Sequence, residues 1–245
     1  MDIKEEEILG KKIYEHWYYV SKGRALLQFI GRRSMVPAVL DVGAGSGVFS
    51  RYLLDAGRCE KAICVDPFYK DERSEIYNGK PISFVRSIER KSQELVLMMD
   101  VLEHVDNDVA LLREYTKDMS DEGRVLITVP AFQFLWSGHD MFLEHKRRYT
   151  IKSLENLVAS AGLVPVKSRY FFGGLFPVLA LIRLFKNFLL QGGMLKAKSD
   201  LALCPAWLNV LLITLHDIER ITLFRINKVA GLSVFCLCKK KGIDD

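Results

Sequence analysis

The stretch LDVGAGSGVF, Leu40 to Phe49, constrains this chain more than any other. AVLDVG (38–43) reads as a short buried strand that ends on glycine, and GVFSRYLLDAG (47–57) has helical spacing with Gly57 as its stop. Gly43, Gly45 and Gly47 lie between them as G-x-G-x-G. Glycine lets a backbone turn sharply from strand to helix and brings the helix's N-terminal amides close to a ligand. The spacing excludes two common nucleotide loops. Val48 follows Gly47, so the dinucleotide pattern G-x-G-x-x-G fails, and no G-K-[ST] is present. KAICVD (61–66) is a second strand, and Asp66 at its end can accept hydrogen bonds from both hydroxyls of a ribose.

The same alternation continues along the chain. ISFVRS (82–87), ELVLMMD (94–100), RVLITVP (124–130), VPVKSRYFF (164–172) and LSVFCLCKK (232–240) read as further strands. Helices are expected over 106–119, with Asp106 as N-cap, and over 150–162, between Thr150 and Gly162. Residues 4–31 read as one or two helices with Ile8, Ile13, Trp17, Tyr18, Leu26, Leu27 and Ile30 as the apolar stripe. Strands alternating with helices predict an α/β fold, a doubly wound, seven-stranded, mostly parallel sheet. In such sheets ligands sit beyond the carboxyl ends of the strands. The expected organisation is an N-terminal helical segment (1–35), a core (36–172), an apolar helical insertion (173–231), and a last strand with its tail (232–245).

With 245 residues and 49% hydrophobic content the chain has ample core for one domain with an added lobe. A net charge of +5 is too weak to argue for nucleic acid and suits an anionic substrate or membrane surface equally. Cys59, Cys64, Cys204, Cys236 and Cys238 are odd in number and form no C-x-x-C, against a disulfide framework or zinc knuckle. MDIKEEEILGKK is no signal peptide. The apolar runs Tyr170–Ile182 and Leu201–His216 are shorter than the ~20 residues of a spanning helix. A cytoplasmic protein is expected, with peripheral contact on the inner face of the membrane; its oligomeric state is left open.

VLDVGAGSG, Val65-Asp66, LVLMMDVLEHV and RVLITVP together resemble the class I S-adenosylmethionine-dependent methyltransferases, of the methyltransferase 11/23 type, over roughly residues 36–170. The resemblance implies S-adenosylmethionine as cofactor. It places Asp41, Gly43, Ala44, Gly45 and Gly47 around the methionine part, Asp66 and Pro67 at the ribose, Ser87 near the adenine, and Asp100 and Val101 along the cofactor edge. One departure is Val85-Arg86-Ser87-Ile88, where many relatives carry an Asp.

MMDVLEHVD puts Asp100, Glu103 and His104 after the fourth expected strand. The favoured reading is a plain cofactor wall. The alternative is a divalent metal, because small-RNA terminal 2′-O-methyltransferases and ubiquinone-pathway O-methyltransferases carry a similar E-x-x-E-H run. Here Asp100 replaces the first Glu.

GHDMFLEHKRRYT (138–150) then falls in the loop beyond the fifth expected strand, at the cleft mouth, together with Trp136. Methyl transfer needs an aligned, deprotonated acceptor. His139 and His145 are candidate bases. Trp136, Arg147, Arg148 and Tyr149 are candidate acceptor contacts, either arginine being able to clamp a phosphate or carboxylate. The competing reading is that His145, Arg148 and Tyr149 only brace the loop.

FPVLALIRLFKNFLL, in the insertion, is apolar, and no acid occurs between Glu155 and Asp200, whereas Lys167, Arg169, Arg183, Lys186, Lys196 and Lys198 do. A second helix is expected over about 206–229. An apolar, basic helix suits a membrane interface, a lid over a greasy acceptor, or a dimer face; the bland alternative is a cap packed on the sheet. The expected function is O-methylation of a hydrophobic, lipid-linked or glycan-type acceptor. The alternatives are a metal-assisted RNA ribose methyltransferase and a non-catalytic, cofactor-binding membrane scaffold.

Overall fold

The computed structural model describes residues 3–31, 35–89, 93–189, 198–199 and 202–241; Lys196 and Leu201 lie outside them. Eight strands form one sheet: β1 (Val36–Val42), β2 (Cys59–Val65), β3 (Arg73–Tyr77), β4 (Lys80–Val85), β5 (Leu95–Met99), β6 (Arg124–Pro130), β7 (Leu163–Phe171) and β8 (Ser233–Lys240). Their spatial order is β3-β4-β2-β1-β5-β6-β8-β7. All seven expected strands are present, and β1, β2, β4, β5 and β6 pair in parallel. β8 is antiparallel to both of its neighbours, β6 and β7.

The eighth strand, β3, was not expected. It pairs antiparallel with β4 across a two-residue turn at Asn78 and Gly79, both at positive φ (48° and 79°). Asn-Gly is the pair that such a hairpin turn favours, so the signal was there to be read. An ion pair between Arg51 and Glu75 fastens the new edge to the helix after β1.

The sheet is buried on both faces, which is why its central strands read as unbroken apolar runs. Val39, Leu97, Phe235 and Leu237 pack on one side with α2 (Trp17–Ile30) and α3 (Val48–Asp55). Leu40, Val42, Val96, Met98 and Ile127 pack on the other with α4 (Asp108–Thr116) and α6 (Ile151–Ser160). Preceding α2 are α1 (Ile3–Leu9) and a 3-10 turn. Ile8 departs from the expected apolar stripe and is exposed, whereas Ile13 and Leu26 are fully buried.

One expected helix start moves. Asn107, not Asp106, caps α4, its side chain accepting the Ala110 amide at 2.9 Å. Asp106 stands in solvent, paired with Lys146. Thr150 caps α6 as expected, with Ser153 completing a capping box.

The segment between β7 and β8 carries α7 (Phe176–Leu189) and α8 (Ala206–Ile221). α8 is shorter than expected; a 3-10 turn at Leu223–Arg225 follows it. It leans on α2 through polar contacts. Asn209 accepts the Trp17 amide at 2.8 Å, Gln28 donates to the Arg220 carbonyl at 2.7 Å, and Arg24 pairs with Asp217. Val178, Leu181 and Phe185 of α7 and Trp207, Val210 and Ile218 of α8 remain exposed. Among the described residues, no helix is long and apolar enough to cross a membrane.

Candidate active site

The registers of β1 with β2 and β5 bring Val42, Val65 and Met98 level, so three strand ends open on one edge. The glycine loop rises from the middle of that edge. Gly43, Gly45 and Gly47 all have positive φ (66°, 52° and 72°). The amides of Gly43 and Ala44 donate to the Val65 carbonyl at 2.7 and 3.3 Å. A Cβ on Gly43 would lie 2.7 Å from Val101 Cγ2, and one on Gly47 2.9 Å from Phe84 Cε1. Glycine is therefore required by both conformation and packing. Asp41, one turn below, is buried and accepts the Ser50 hydroxyl at 2.8 Å.

Asp66 ends β2 as expected. Its carboxylate accepts the amides of Gly45 (3.3 Å) and Phe68 (3.0 Å), and Tyr69 donates to the Gly45 carbonyl at 2.7 Å. Asp66 is fully buried, and that burial pushes its carboxyl up while the two amides pull it down. Pro67 and Ser87 are exposed at the rim. Arg86 clamps the intervening turn by donating Nε to the Tyr69 carbonyl at 2.8 Å.

Beyond β5, Asp100 has a positive φ of 56° and turns its side chain toward α2. Lys22 Nζ and Tyr18 Oη both donate to Oδ2, the latter at 3.0 Å, and Thr128 donates to Oδ1 at 3.1 Å. Burial pushes the Asp100 carboxyl up, but the Lys22 ammonium outweighs it and holds the group below the usual range. Lys22 is itself fully buried, and Tyr18 stacks on Phe172 at 5.4 Å. The sequence reading missed Tyr18 and Lys22 as polar site residues. Their i, i+4 spacing on an otherwise apolar helix face was the available signal.

Asp100 is thus engaged by Lys22, Tyr18 and Thr128, whereas the alternative metal reading grouped it with Glu103 and His104. The residue that joins Glu103 and His104 is His145, and ligand atoms of these three all lie within 4.8 Å of one another. Glu103 is fully buried, and among the described residues neither of its carboxylate oxygens has a hydrogen-bond partner. Burial, reinforced by the charge of Asp100, pushes its carboxyl up to about 8. Burial also drives His104 down to about 2, and the neighbouring His145 ring adds to this.

The loop after β6 contains a 3-10 turn and the short α5 (Gly138–Phe142), capped by Ser137 and Asp140. Asp140 is its hub. Arg148 donates Nε and Nη2 to the two carboxylate oxygens at 2.7 and 2.9 Å, and His145 Nδ1 lies 2.9 Å from Oδ1. Burial pushes Asp140 up, but His145 and Arg148 together hold it well below the usual range. Burial lowers His145, against the pull of Asp140. His139 lies 6.3 Å from the His145 ring and 3.8 Å from a Glu5 oxygen of α1.

Three of the candidate acceptor contacts make the bracing contacts of the competing reading. Arg148 is buried and also donates to the Ala131 carbonyl at 3.0 Å. Arg147 reaches Asp108 and the carbonyls of Val105 and Asp106 at 2.9–3.2 Å. The Tyr149 hydroxyl donates to Asp108 at 2.9 Å and to the Leu102 carbonyl at 3.1 Å. Together these contacts form a frame that holds this loop onto the turn after β5. Trp136 is half-buried in the same loop.

The chain matches the methyltransferase-domain family over residues 14–168. It is 28% identical over 113 residues to an uncharacterized methyltransferase of Mycobacterium bovis, a match spanning 44% of this chain and 44% of that relative. Its fold is similar to the 1,6-didemethyltoxoflavin-N1-methyltransferase of Burkholderia thailandensis, solved with its acceptor and S-adenosylhomocysteine (TM-score 0.56, 15% identity, 98% of this chain and 84% of that one). It is also similar to phosphoethanolamine N-methyltransferase 2 of Haemonchus contortus (TM-score 0.55, 14% identity, 97% of this chain and 56% of that one). By strand order, glycine loop and family match, this chain belongs to the class I S-adenosylmethionine-dependent methyltransferases.

Proposed function

We propose that this chain transfers a methyl group from S-adenosylmethionine to an oxygen of an apolar or amphiphilic acceptor, lipid-linked, glycan-type or phenolic. The residues at the strand ends suit the donor. Gly43, Ala44, Gly45 and Gly47 would face its methionine part, where the three glycines present backbone and no side chain. Asp66 accepts two amides and has acceptor capacity for about two further donors, as ribose hydroxyls require. Because Asp66 is fully buried, the Pro67–Tyr69 turn must open to admit them. Pro67 and Ser87 would line the ribose and adenine side, with Asp41, Asp100 and Val101 behind the loop.

The bound donor supplies an electrophilic sulfonium methyl, so the chain's own task is to orient the acceptor and take its proton. His145, oriented through Nδ1 by Asp140, and His139 beside it are the groups on the acceptor side suited to that task. Trp136 offers an apolar surface in the same loop. The observation that carries the acceptor class is the exposed apolar side chains of α7 and α8, in an insertion that touches this loop where Arg183 donates to the Leu135 carbonyl at 3.0 Å. The same exposed apolar side chains favour peripheral attachment to the inner membrane face. The names of the two structural relatives point to nitrogen acceptors, at identities too low to carry a substrate across.

Isotope transfer from labelled S-adenosylmethionine into fractionated lipid, glycan and RNA pools tests this reading. Label in lipid or glycan is expected; label confined to RNA would establish the ribose alternative, and no label in any pool the scaffold. Flotation with anionic vesicles checks attachment, and a chain that stays at the bottom of the gradient defeats it.

A further inference from the structure

We propose that Glu103, His104 and His145 together bind one divalent transition-metal ion. Three observations, none depending on the acceptor assigned above, carry this. First, Glu103 is fully buried with both carboxylate oxygens unpartnered among the described residues. A buried acceptor without a donor is costly, and buried carboxylates in folded proteins are paired or ligate metal. Second, the set consists of one carboxylate and two imidazoles, and its ligand atoms already lie within 4.8 Å of one another. Ligands around a tetrahedral ion stand roughly 3.4 Å apart, so binding draws the set in by a side-chain rotation. Third, each histidine is anchored from behind. His145 Nδ1 meets Asp140, and His104 hydrogen-bonds the Leu143 carbonyl. Metal-ligating histidines are typically held in this way, one nitrogen on a carboxylate or carbonyl and the other turned to the ion.

Asp140 is itself gripped by Arg148 and by Ser137, so the support reaches two layers behind the ligands. The chain also ties the ligands together before any ion arrives, since the Lys146 amide donates to the Glu103 carbonyl at 2.7 Å. Two imidazoles and one carboxylate favour Zn²⁺ or Mn²⁺ over Mg²⁺, which prefers oxygen and keeps its water. Three protein ligands leave at least one coordination position open, at the junction of the two loops that wall the acceptor side. With His145 on the ion, proton removal falls to His139.

The test uses the full chain, stripped with chelator and then dialysed against micromolar Zn²⁺, Mn²⁺ or Mg²⁺. Elemental analysis is expected to find about one equivalent of Zn²⁺ or Mn²⁺. Melting in the presence of the retained ion at ~100-fold over its dissociation constant should rise by about 5–10 °C. Glu103→Gln and His145→Ala should each cut retention at least tenfold, with circular dichroism confirming the fold. Loading with Co²⁺ gives a readout that needs no variant, visible bands of a nitrogen-ligated, low-coordinate ion. The proposal is overturned if the chain keeps less than a tenth of an equivalent of Zn²⁺ and Mn²⁺, if it keeps Mg²⁺ alone, if folded variants retain as much as the parent, or if Co²⁺ shows only the weak bands of an oxygen-coordinated ion.

Discussion

The loop after β1 and the loop after β6 face each other across the same sheet edge, yet they are built in opposite ways. The glycine loop is specified by what it lacks. Three positive-φ glycines let its backbone lie against Val101 and Phe84, and its amides are met by main chain at Gly43, Ala44 and Gly47 and by the Asp66 carboxylate at Gly45. The β6 loop is specified by what it carries. Asp140, Arg148, His145, Arg147, Tyr149 and Asp108 hold one another through side chains. The first device gives a fixed surface of backbone, and the second a wall whose shape depends on every charge being in place.

Four substitutions break or sharpen that contrast. Arg148→Ala leaves Asp140 buried without its bidentate partner, and loss of one member of a buried pair costs about 3–5 kcal/mol. Urea unfolding should show that loss, and Arg148→Lys should restore little of it because a lysine cannot span both oxygens. Gly43→Ala combines a left-handed φ with a 2.7 Å overlap on Val101 and should cost about 2–4 kcal/mol. Gly57→Ala, at φ 64° but with open space around its Cβ, should cost only about 1 kcal/mol. Equal losses at the two glycines would remove packing from the account of the loop.

Glu103→Gln acts through pH, measured with chelator present. Glu103 holds its proton more tightly in the folded chain than in the unfolded one, so its contribution is complete below about pH 4.5 and is lost as pH rises toward about 8. Glutamine should abolish that alkaline decline and leave the acid side unchanged. The acid side belongs first to His104 and His145, whose lowered values remove stability as pH falls below 6.5, and then to Asp100 and Asp140, whose lowered carboxyls remove it as pH falls below 3.8. A structural effect as small as that of Gly57→Ala is expected from Asn107→Ala, about 1 kcal/mol for a lost helix cap. For turnover, His139→Ala and His145→Ala should each leave cofactor binding intact, and at least one should slow methyl transfer about 10²–10⁴-fold. Near-normal rates in both would confine the β6 loop to bracing.

The sequence was most legible where local rules act alone. The strand, glycine loop and helix of residues 38–57 follow from apolar runs and glycine spacing, and Thr150 and Gly162 punctuate α6 as written. Local rules failed where long-range pairing decides. Nothing near Asp100 in sequence reveals that Lys22 and Tyr18 will claim it, and nothing in KRRYT distinguishes an arginine aimed at a ligand from one buried on Asp140. Strand β3 is a different kind of miss, a readable Asn-Gly turn next to a strand too short and polar to stand out.

β8 separates β6 from β7 in the sheet, and the chain must pass through α7 and α8 between finishing β7 at Phe171 and starting β8 at Ser233. On a ribosome adding ~5–20 residues per second, that interval lasts several seconds. Throughout it, the Val125–Val129 edge of β6 stands without the partner it finds in β8, an open template for strand pairing with another chain. A chaperone that shields nascent sheet edges should therefore raise the yield of this protein.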